Sequence, residues 1–506
     1  MKKIIALSTV AFLSTALYAD AAMQQQIDEL TKKVQKLEKK QKKNTKKIGS
    51  VNALAAKDNI KFDVDFRTSY DNIQYETVNG NKHQNDALYS NRLWLGMGYA
   101  PTSTMVFKGQ LAYHKAFGAS ANSTTSGFPQ RGYGFDAFDW VSNETLNDDK
   151  LRVREAYWLW MPKVGDFPLT FSVGRRPSTN GYLTNLREDD PKAKSPLGHV
   201  INMEFDGASA SIGFDKYVSG MNFKVCLGRG LTNAKSWANS ADTATSATGM
   251  GATSPNYIEE KGALDTIDML GFIFVPYDDG QYAVKTTWYR GFNVPGLTFN
   301  QWINPATPQQ TPQMALNTVG QMDGMAISAK VDGIGNEIND FLDETTFFIS
   351  YAMSTTHPDE KGNTHITNPN TGTTAQFASM LGSTDDETGS SLYMGLVMPN
   401  LTGGRFGIEY NQGSKYWRPF TYGEDTLVGS KLAVRGNAYE AYWSQPIIDD
   451  VFSMQVRYTK MNYDYTGSNG FFGDGGAPMS MSDAKAAGMD PVETAQDIRV
   501  YFRYRY

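Results

Sequence analysis

The sequence predicts an all-β fold: a transmembrane antiparallel β-barrel of about 16 strands, preceded by a short N-terminal coiled-coil helix. Three observations predict it. From residue 60 onward, segments of roughly ten residues alternate apolar and polar side chains, the two-residue period of a strand with unlike faces. The connections between those segments run long and short in turn. The last stretch, 496–506, puts Ile498, Val500, Phe502, Tyr504 and Tyr506 on one face and Asp497, Arg499, Tyr501, Arg503 and Arg505 on the other. That distribution suits a closing strand with its apolar face on lipid and its arginines on a wet lumen.

Bulk composition is compatible with this fold and excludes another. Hydrophobic residues make up 40% of the 506 and mean hydropathy is −0.44, values a barrel tolerates because only alternate strand residues meet lipid. After the first twenty residues no apolar run approaches the roughly 18–20 residues that a spanning helix needs. The 27 Tyr, 27 Phe and 9 Trp, with 47 Gly, fit aromatic belts and many turns. A single cysteine, Cys226, excludes an internal disulfide and any Cys-based metal or redox motif. His83, His114, His199, His357 and His365 show no metal-ligand spacing, so no cofactor or metal is expected.

Taken in order, residues 1–19 read as a signal peptide: Lys2 and Lys3 precede an apolar run that ends near Ala19. Residues 20–57 read as a periplasmic coiled-coil segment. Ile27, Val34, Gln41 and Ile48 occupy a positions, with Met23, Leu30, Leu37, Asn44 and Val51 at d. Residues 1–57 hold 12 Lys against 4 acids, a charge of +8, whereas the remainder holds 36 basic against 49 acidic residues, −13. The Lys-rich helix is solvated, or contacts a polyanion such as the cell wall or lipid headgroups. It would also serve as the seam of a homotrimer.

Residues 58–506 are expected to form the barrel. Strands are predicted at 60–70, 88–100, 105–117, 150–161, 168–176, 199–214, 220–229, 265–276, 281–292, 322–332, 344–354, 389–398, 404–414, 431–445, 451–463 and 494–506. Long loops are predicted at 71–87, 118–149, 177–198, 230–264, 293–321, 355–388, 415–430 and 464–493. An even strand number sets both barrel ends on the periplasmic side of an outer membrane. A soluble sandwich would use short loops at both ends, and a propeller or solenoid would repeat in sequence, which this chain does not.

The polar faces supply candidate pore-lining residues: Arg92, Lys108, Arg152, Arg154, Arg176, Lys224, Arg435, Arg457 and Arg499. Basic residues outnumber acids such as Asp63, Asp65, Glu409 and Asp497 on those faces, so the lumen is expected to lean towards anions. Pairing across strands would cancel that excess. Glu155 falls on the lipid face in this register, which signals either a bulge or a slip in the assigned register, with Arg152, Arg154 and Trp158 assigned inward. In the third long loop Arg187, Glu188, Asp189 and Asp190 are candidates for a constriction that opposes Arg152, Arg154 and Arg176; the acids could alternatively hold Ca²⁺ or be solvated. Phe135, Asp136, Phe138, Asp139, Trp140 and Glu144 in the second loop could form a lid or a surface patch.

No Gly-x-Ser-x-Gly elbow, H-E-x-x-H or Walker loop is present, so the chain is not expected to be an enzyme. Nor is it expected to bind nucleic acid, since its only basic run is the N-terminal helix.

Gly174-Arg175-Arg176-Pro177-Ser178-Thr179, Leu186 to Pro191, and Gly413 to Trp417 with Pro419-Phe420 and Tyr422 to Asp425 resemble a porin-like family of exported proteins from epsilon-class proteobacteria, domain of unknown function 3373. The resemblance implies an outer-membrane location and supplies no substrate. The architecture is also similar to that of trimeric anion-selective porins. The expected function is therefore an outer-membrane porin for passive diffusion of small hydrophilic solutes. Its expected partners are membrane lipid, two further copies of the chain, and the barrel-insertion machinery, through the C-terminal aromatic strand. The alternative is a structural or adhesive barrel whose lumen is plugged by its own loops.

Overall fold

The structure is a computed structural model that describes residues 60–118, 146, 150–190, 192–234, 265–301, 312–335, 338–359, 364–367, 374–377, 381–421, 424–468 and 477–506. The expected signal peptide, the coiled-coil helix and the aromatic-acidic stretch of the second loop lie outside these residues.

Sixteen strands form the barrel wall: β1 (Lys61–Thr77), β2 (Lys82–Tyr99), β3 (Met105–Ala116), β4 (Arg152–Trp160), β5 (Phe167–Ser178), β6 (Met203–Gly213), β7 (Asn222–Leu231), β8 (Ile267–Asp278), β9 (Tyr282–Gln301), β10 (Pro312–Asp332), β11 (Thr346–Pro358), β12 (Glu387–Pro399), β13 (Arg405–Gly413), β14 (Gly436–Ile448), β15 (Phe452–Tyr463) and β16 (Val492–Arg505). Each pairs antiparallel with the next, and β16 returns to β1 with Asp65 opposite Arg505 and Asp71 opposite Arg499. Closure leaves no strand edge unpaired, the condition for a sheet in lipid. No helix among the described residues is long and apolar enough to cross a membrane.

Alternation sorts the side chains as the sequence predicts. On β1, Asp65, Arg67, Ser69 and Asp71 are buried inside, whereas Phe62 stands 61% exposed on the other face. On β16, Ile498, Phe502 and Tyr504 are exposed outside while Asp497, Arg499 and Arg503 are buried. Inward aromatics lie over glycines of a neighbouring strand: Tyr289 over Gly324, Phe348 over Gly395 and Tyr442 over Gly407. A Cβ at any of those glycines would collide with the ring, so the small residue is what lets the ring lie flat on the wall.

Several expected boundaries move, for identifiable reasons. No loop spans 71–87: β1 and β2 continue as a polar hairpin that turns within 78–81, with Gly80 at φ 84. β9 and β10 likewise extend into the expected loop at 293–321, to Gln301 and from Pro312, past a bulge where Asn293 adopts φ 54; residues 302–311 lie outside the described ones. β6 begins at Met203 and β14 at Gly436, so 199–202 and 431–435 belong to loops instead of strands. The bulge signalled by Glu155 lies where the β3–β4 register shifts between Gln110 and Leu111. Arg154 and Glu155 are consecutive yet both buried, and Trp158, expected inside, is turned out to 40% exposure.

Candidate functional site in the barrel lumen

Two loops from opposite parts of the wall, 179–202 and 414–435, fold into the lumen and meet there. The first is shaped by its own polar residues. Asn185 Oδ1 accepts from Leu183 N at 3.1 Å, and its Nδ2 donates to Asp190 O at 2.7 Å. Thr184 Oγ1 donates to Gly181 O at 2.9 Å. These bonds close a one-turn helix, Thr184–Arg187, that delivers Arg187 and Glu188 to the barrel centre. In the second loop Trp417 is fully buried and donates its Nε1–H to Leu432 O at 2.7 Å. Ser430 Oγ donates to Glu424 Oε2 at 2.8 Å.

Glu188 is the hub. Its carboxylate lies 3.4 Å from Arg187, 3.6 Å from Arg457, 3.7 Å from Arg92, 3.8 Å from Arg503 and 3.9 Å from Arg67. Asp425, from the other loop, forms an ion pair with Arg67 and lies 3.1 Å from Arg499 and 3.6 Å from Arg92. Arg187 reaches Glu424 at 3.0 Å and Glu440 at 3.4 Å, while Lys431 is paired with Glu409 and Glu440. Burial and the nearby Asp425 push the Glu188 carboxyl up, yet Arg92, Arg187 and Arg67 outweigh them and hold it below its ordinary value. Asp425 is held well below the carboxylate range: burial raises it, and Arg67 and Arg499 more than reverse that. Buried charges persist only when paired, and the two loops supply the pairing here; the Glu188 carboxylate is held by ion-pair contacts alone, neither of its oxygens accepting a hydrogen bond.

The other half of the lumen is apolar. Leu183, Val200, Ile201, Trp417, Phe420 and Leu432 from the two loops pack against wall residues such as Tyr289, Phe348 and Tyr393. His199 is enclosed there, with Nδ1 2.8 Å from Ser350 Oγ and Nε2 2.9 Å from Ser391 Oγ. Burial depresses its pKa to about 3.

The predicted wall residues are thus divided. Arg92, Arg154, Arg457 and Arg499 are buried in ion pairs or hydrogen bonds. Arg435 is not a wall residue at all: it precedes β14 and donates to Trp417 O at 3.2 Å and Thr466 O at 2.9 Å, tying two loops together. Arg152 is half-buried and Lys108 exposed on the β3–β4 side; Arg176 and Lys224 lie further round on β5 and β7. The expected opposition of Glu188, Asp189 and Asp190 to Arg152, Arg154 and Arg176 is replaced by another. Glu188 faces five different arginines, Asp189 lies 3.9 Å from Arg405, and Asp190 Oδ1 accepts from Lys192 N at 3.2 Å. The sequence reading missed the 414–435 loop as a lumen element: Glu424 and Asp425 stood in an expected long loop without an evident role, and Lys431 in an expected strand.

On the rim of short turns, a cavity of about 690 Å³ opens below the loops. Asp189, Asp332, Asp343, Glu344 and Asp450 line it, against Arg405 and Arg505. Its walls therefore carry more acid than base, unlike the expected basic lumen. No cluster of His, Cys, Asp and Glu arranged to hold a metal occurs among the described residues.

Fold and lumen together define a closed sixteen-stranded barrel of the outer-membrane type with two of its own loops folded inside. The chain belongs to the family described as "Protein of unknown function (DUF3373)", whose profile matches residues 82–506. No curated protein matches it. Among solved structures it is similar to in-vitro folded OmpT, an outer membrane protein of Vibrio cholerae, at 10% identity over 88% of this chain and 97% of that one, with a TM-score of 0.41. It is also similar to Salmonella typhi OmpF in complex with daunomycin (11% identity, 88% and 98% covered, TM-score 0.41) and to Pseudomonas putida OprB (10%, 90% and 96%, TM-score 0.42).

Proposed function

We propose that this protein is an outer-membrane porin, non-enzymatic, that passes small hydrophilic solutes by passive diffusion through a lumen narrowed by the 179–202 and 414–435 loops. The observation that carries the proposal is the hydrophilic cavity of about 690 Å³ beneath loops held inside a closed barrel. Assembly as a homotrimer, a periplasmic Lys-rich helix touching the cell wall, and insertion through the aromatic β16 belong to the same reading. The buried Arg67, Arg92, Arg154, Arg457, Arg499 and Arg503 are paired with carboxylates, so any lean towards anions rests on residues such as Lys108, Arg176 and Lys224.

A second reading is favoured by the dry packing of Trp417, Phe420 and Leu183 at the centre: a barrel occluded by its loops that serves structure or adhesion. One experiment separates the two. Purified protein in a planar bilayer is expected to give stepwise conductance, in groups of three for a trimer; silent bilayers with correctly folded protein would favour the occluded barrel. Reversal potential under a KCl gradient tests the anion preference.

A further inference from the structure

Arg176 and Lys224 stand apart from the other basic residues of the wall. Arg67, Arg92, Arg154, Arg175, Arg457, Arg499 and Arg503 all have carboxylate partners. Among the described residues, no carboxylate pairs with Arg176 or Lys224. Arg176 Nη1 donates to Ser209 Oγ at 2.6 Å and lies over the Tyr157 ring at 5.2 Å, and Lys224 Nζ donates to Ser195 Oγ at 2.8 Å. Both residues border one cavity of about 60 Å³ between the 179–202 loop and strands β5 to β9. None of the residues that line it is acidic.

The sequence builds that space. Gly207, Ser209, Cys226, Gly228 and Gly271 bring small side chains or none to the cavity wall. An added Cβ would collide with Leu227 O at Gly207 and crowd Phe205 at Gly228, whereas at Gly271 it would make an ordinary van der Waals contact with Trp288 O at 3.5 Å. A cavity needs roughly 10–15 Å³ to hold one water, so 60 Å³ admits an ion with a few waters and excludes a nucleotide or a sugar. Two like charges beside one cavity repel each other, and an anion shared between them would offset that cost. The hydroxyls of Ser178 and Ser195 border the same space and can turn to donate.

We infer that Arg176 and Lys224 form a binding site for one small inorganic anion, of the size of a halide or a tetrahedral oxyanion. The site is independent of the porin reading, because an anion can be held there whether or not the barrel conducts. It also accounts for an otherwise uncompensated pair of charges beneath the loop: the anion would join the wall to Ser195 and help to hold the 179–202 loop in place.

The test uses the whole protein refolded in detergent, with bromide or inorganic phosphate as the probe and gluconate, too large for the cavity, as the reference salt at equal ionic strength. In crystals grown in bromide, an anomalous peak is expected between Arg176 and Lys224. The melting temperature should rise with bromide or phosphate over gluconate. Arg176→Gln with Lys224→Gln should abolish both effects, and because it removes two uncompensated charges it should fold at least as well in gluconate. Lys224→Arg should keep the site, whereas Lys224→Gln alone should weaken bromide binding roughly tenfold or more, the loss of one charge-assisted hydrogen bond. An empty cavity in bromide crystals would overturn the inference. So would an anion-dependent melting shift that survives in the double variant.

Discussion

Ile201 and Phe420 pair as a parallel β-bridge inside the barrel: Phe420 N donates to Val200 O at 2.9 Å and Asn202 N donates to Phe420 O at 2.6 Å. The bridge joins two loops that are remote in sequence, so they act as one body and each positions the other's charges. Glu188 and Asp425 share Arg67 and Arg92 because their loops are joined in this way.

Phe420→Ala should loosen that joint. The ring packs against Tyr289 with centroids 5.3 Å apart, and its removal leaves a cavity in the apolar half of the lumen. A cost of about 3–5 kcal/mol is expected, read as a lower urea midpoint in detergent. If the loops restrict the passage, single-channel conductance should rise as well. A variant with wild-type conductance and a lowered midpoint would separate the packing role from the restriction.

Glu188→Gln should be costlier than an ordinary carboxylate substitution. It leaves the guanidiniums of Arg67, Arg92, Arg187, Arg457 and Arg503 without their common counter-charge. Breaking a buried pair by removing one partner typically costs about 3–5 kcal/mol. The expected outcome is faster proteolysis of the 179–202 loop and, if current flows, a reversal potential displaced towards anions.

Stability should depend on pH in two stages, with opposite causes. His199 is neutral in the folded lumen, with a pKa of about 3 set by burial, whereas the unfolded chain protonates it below about 6.5. The unfolded state then binds more protons, so folded stability falls as pH drops below that value, by about 1.4 kcal/mol per unit. Glu188 and Asp425 have depressed carboxyls, so their contribution is intact above the ordinary carboxylate range and is lost only as pH falls through the lower folded values. Urea unfolding should therefore become easier from about pH 6 to 4, with a collapse of stability below that range. His199→Gln should make the first stage shallower, the buried His114 keeping the rest, and spare the second.

These residues also mark where sequence reasoning stops. The strand number and the inward charges of β1 and β16 were legible, because a two-residue period with arginine on one face and aromatic rings on the other fits little besides a barrel strand. The polar hairpin between β1 and β2 was not. On β2 the residues from Lys82 to Ala87 are all exposed, so Gln84 and Asn85 have no buried face against which alternation could register, although on β1 the buried face continues through Ile73 and Thr77. Nor was the 414–435 loop: its first part reads only as a long loop and its last residues as strand, and only the fold reveals that its acids answer arginines far away in the chain. Glu155 was the exception. An acid on a lipid face is costly enough to betray a bulge or a register slip from sequence alone.

The last prediction separates wall charges that tune passage from those that hold the lumen together. Arg499 pairs with Asp71 and with Asp425 and is almost wholly buried, so Arg499→Ala should strand Asp71, take from Asp425 one of its three arginines and cost about 3–5 kcal/mol. Lys108 is exposed on β3 of the same barrel. Lys108→Glu should leave the urea midpoint within about 0.5 kcal/mol of wild type, yet move the reversal potential towards cations if solute passes along the β3–β4 side. A Lys108→Glu channel with unchanged selectivity would place the path elsewhere in the lumen, because a reversed charge beside a narrow aqueous path cannot be silent to the ions that use it.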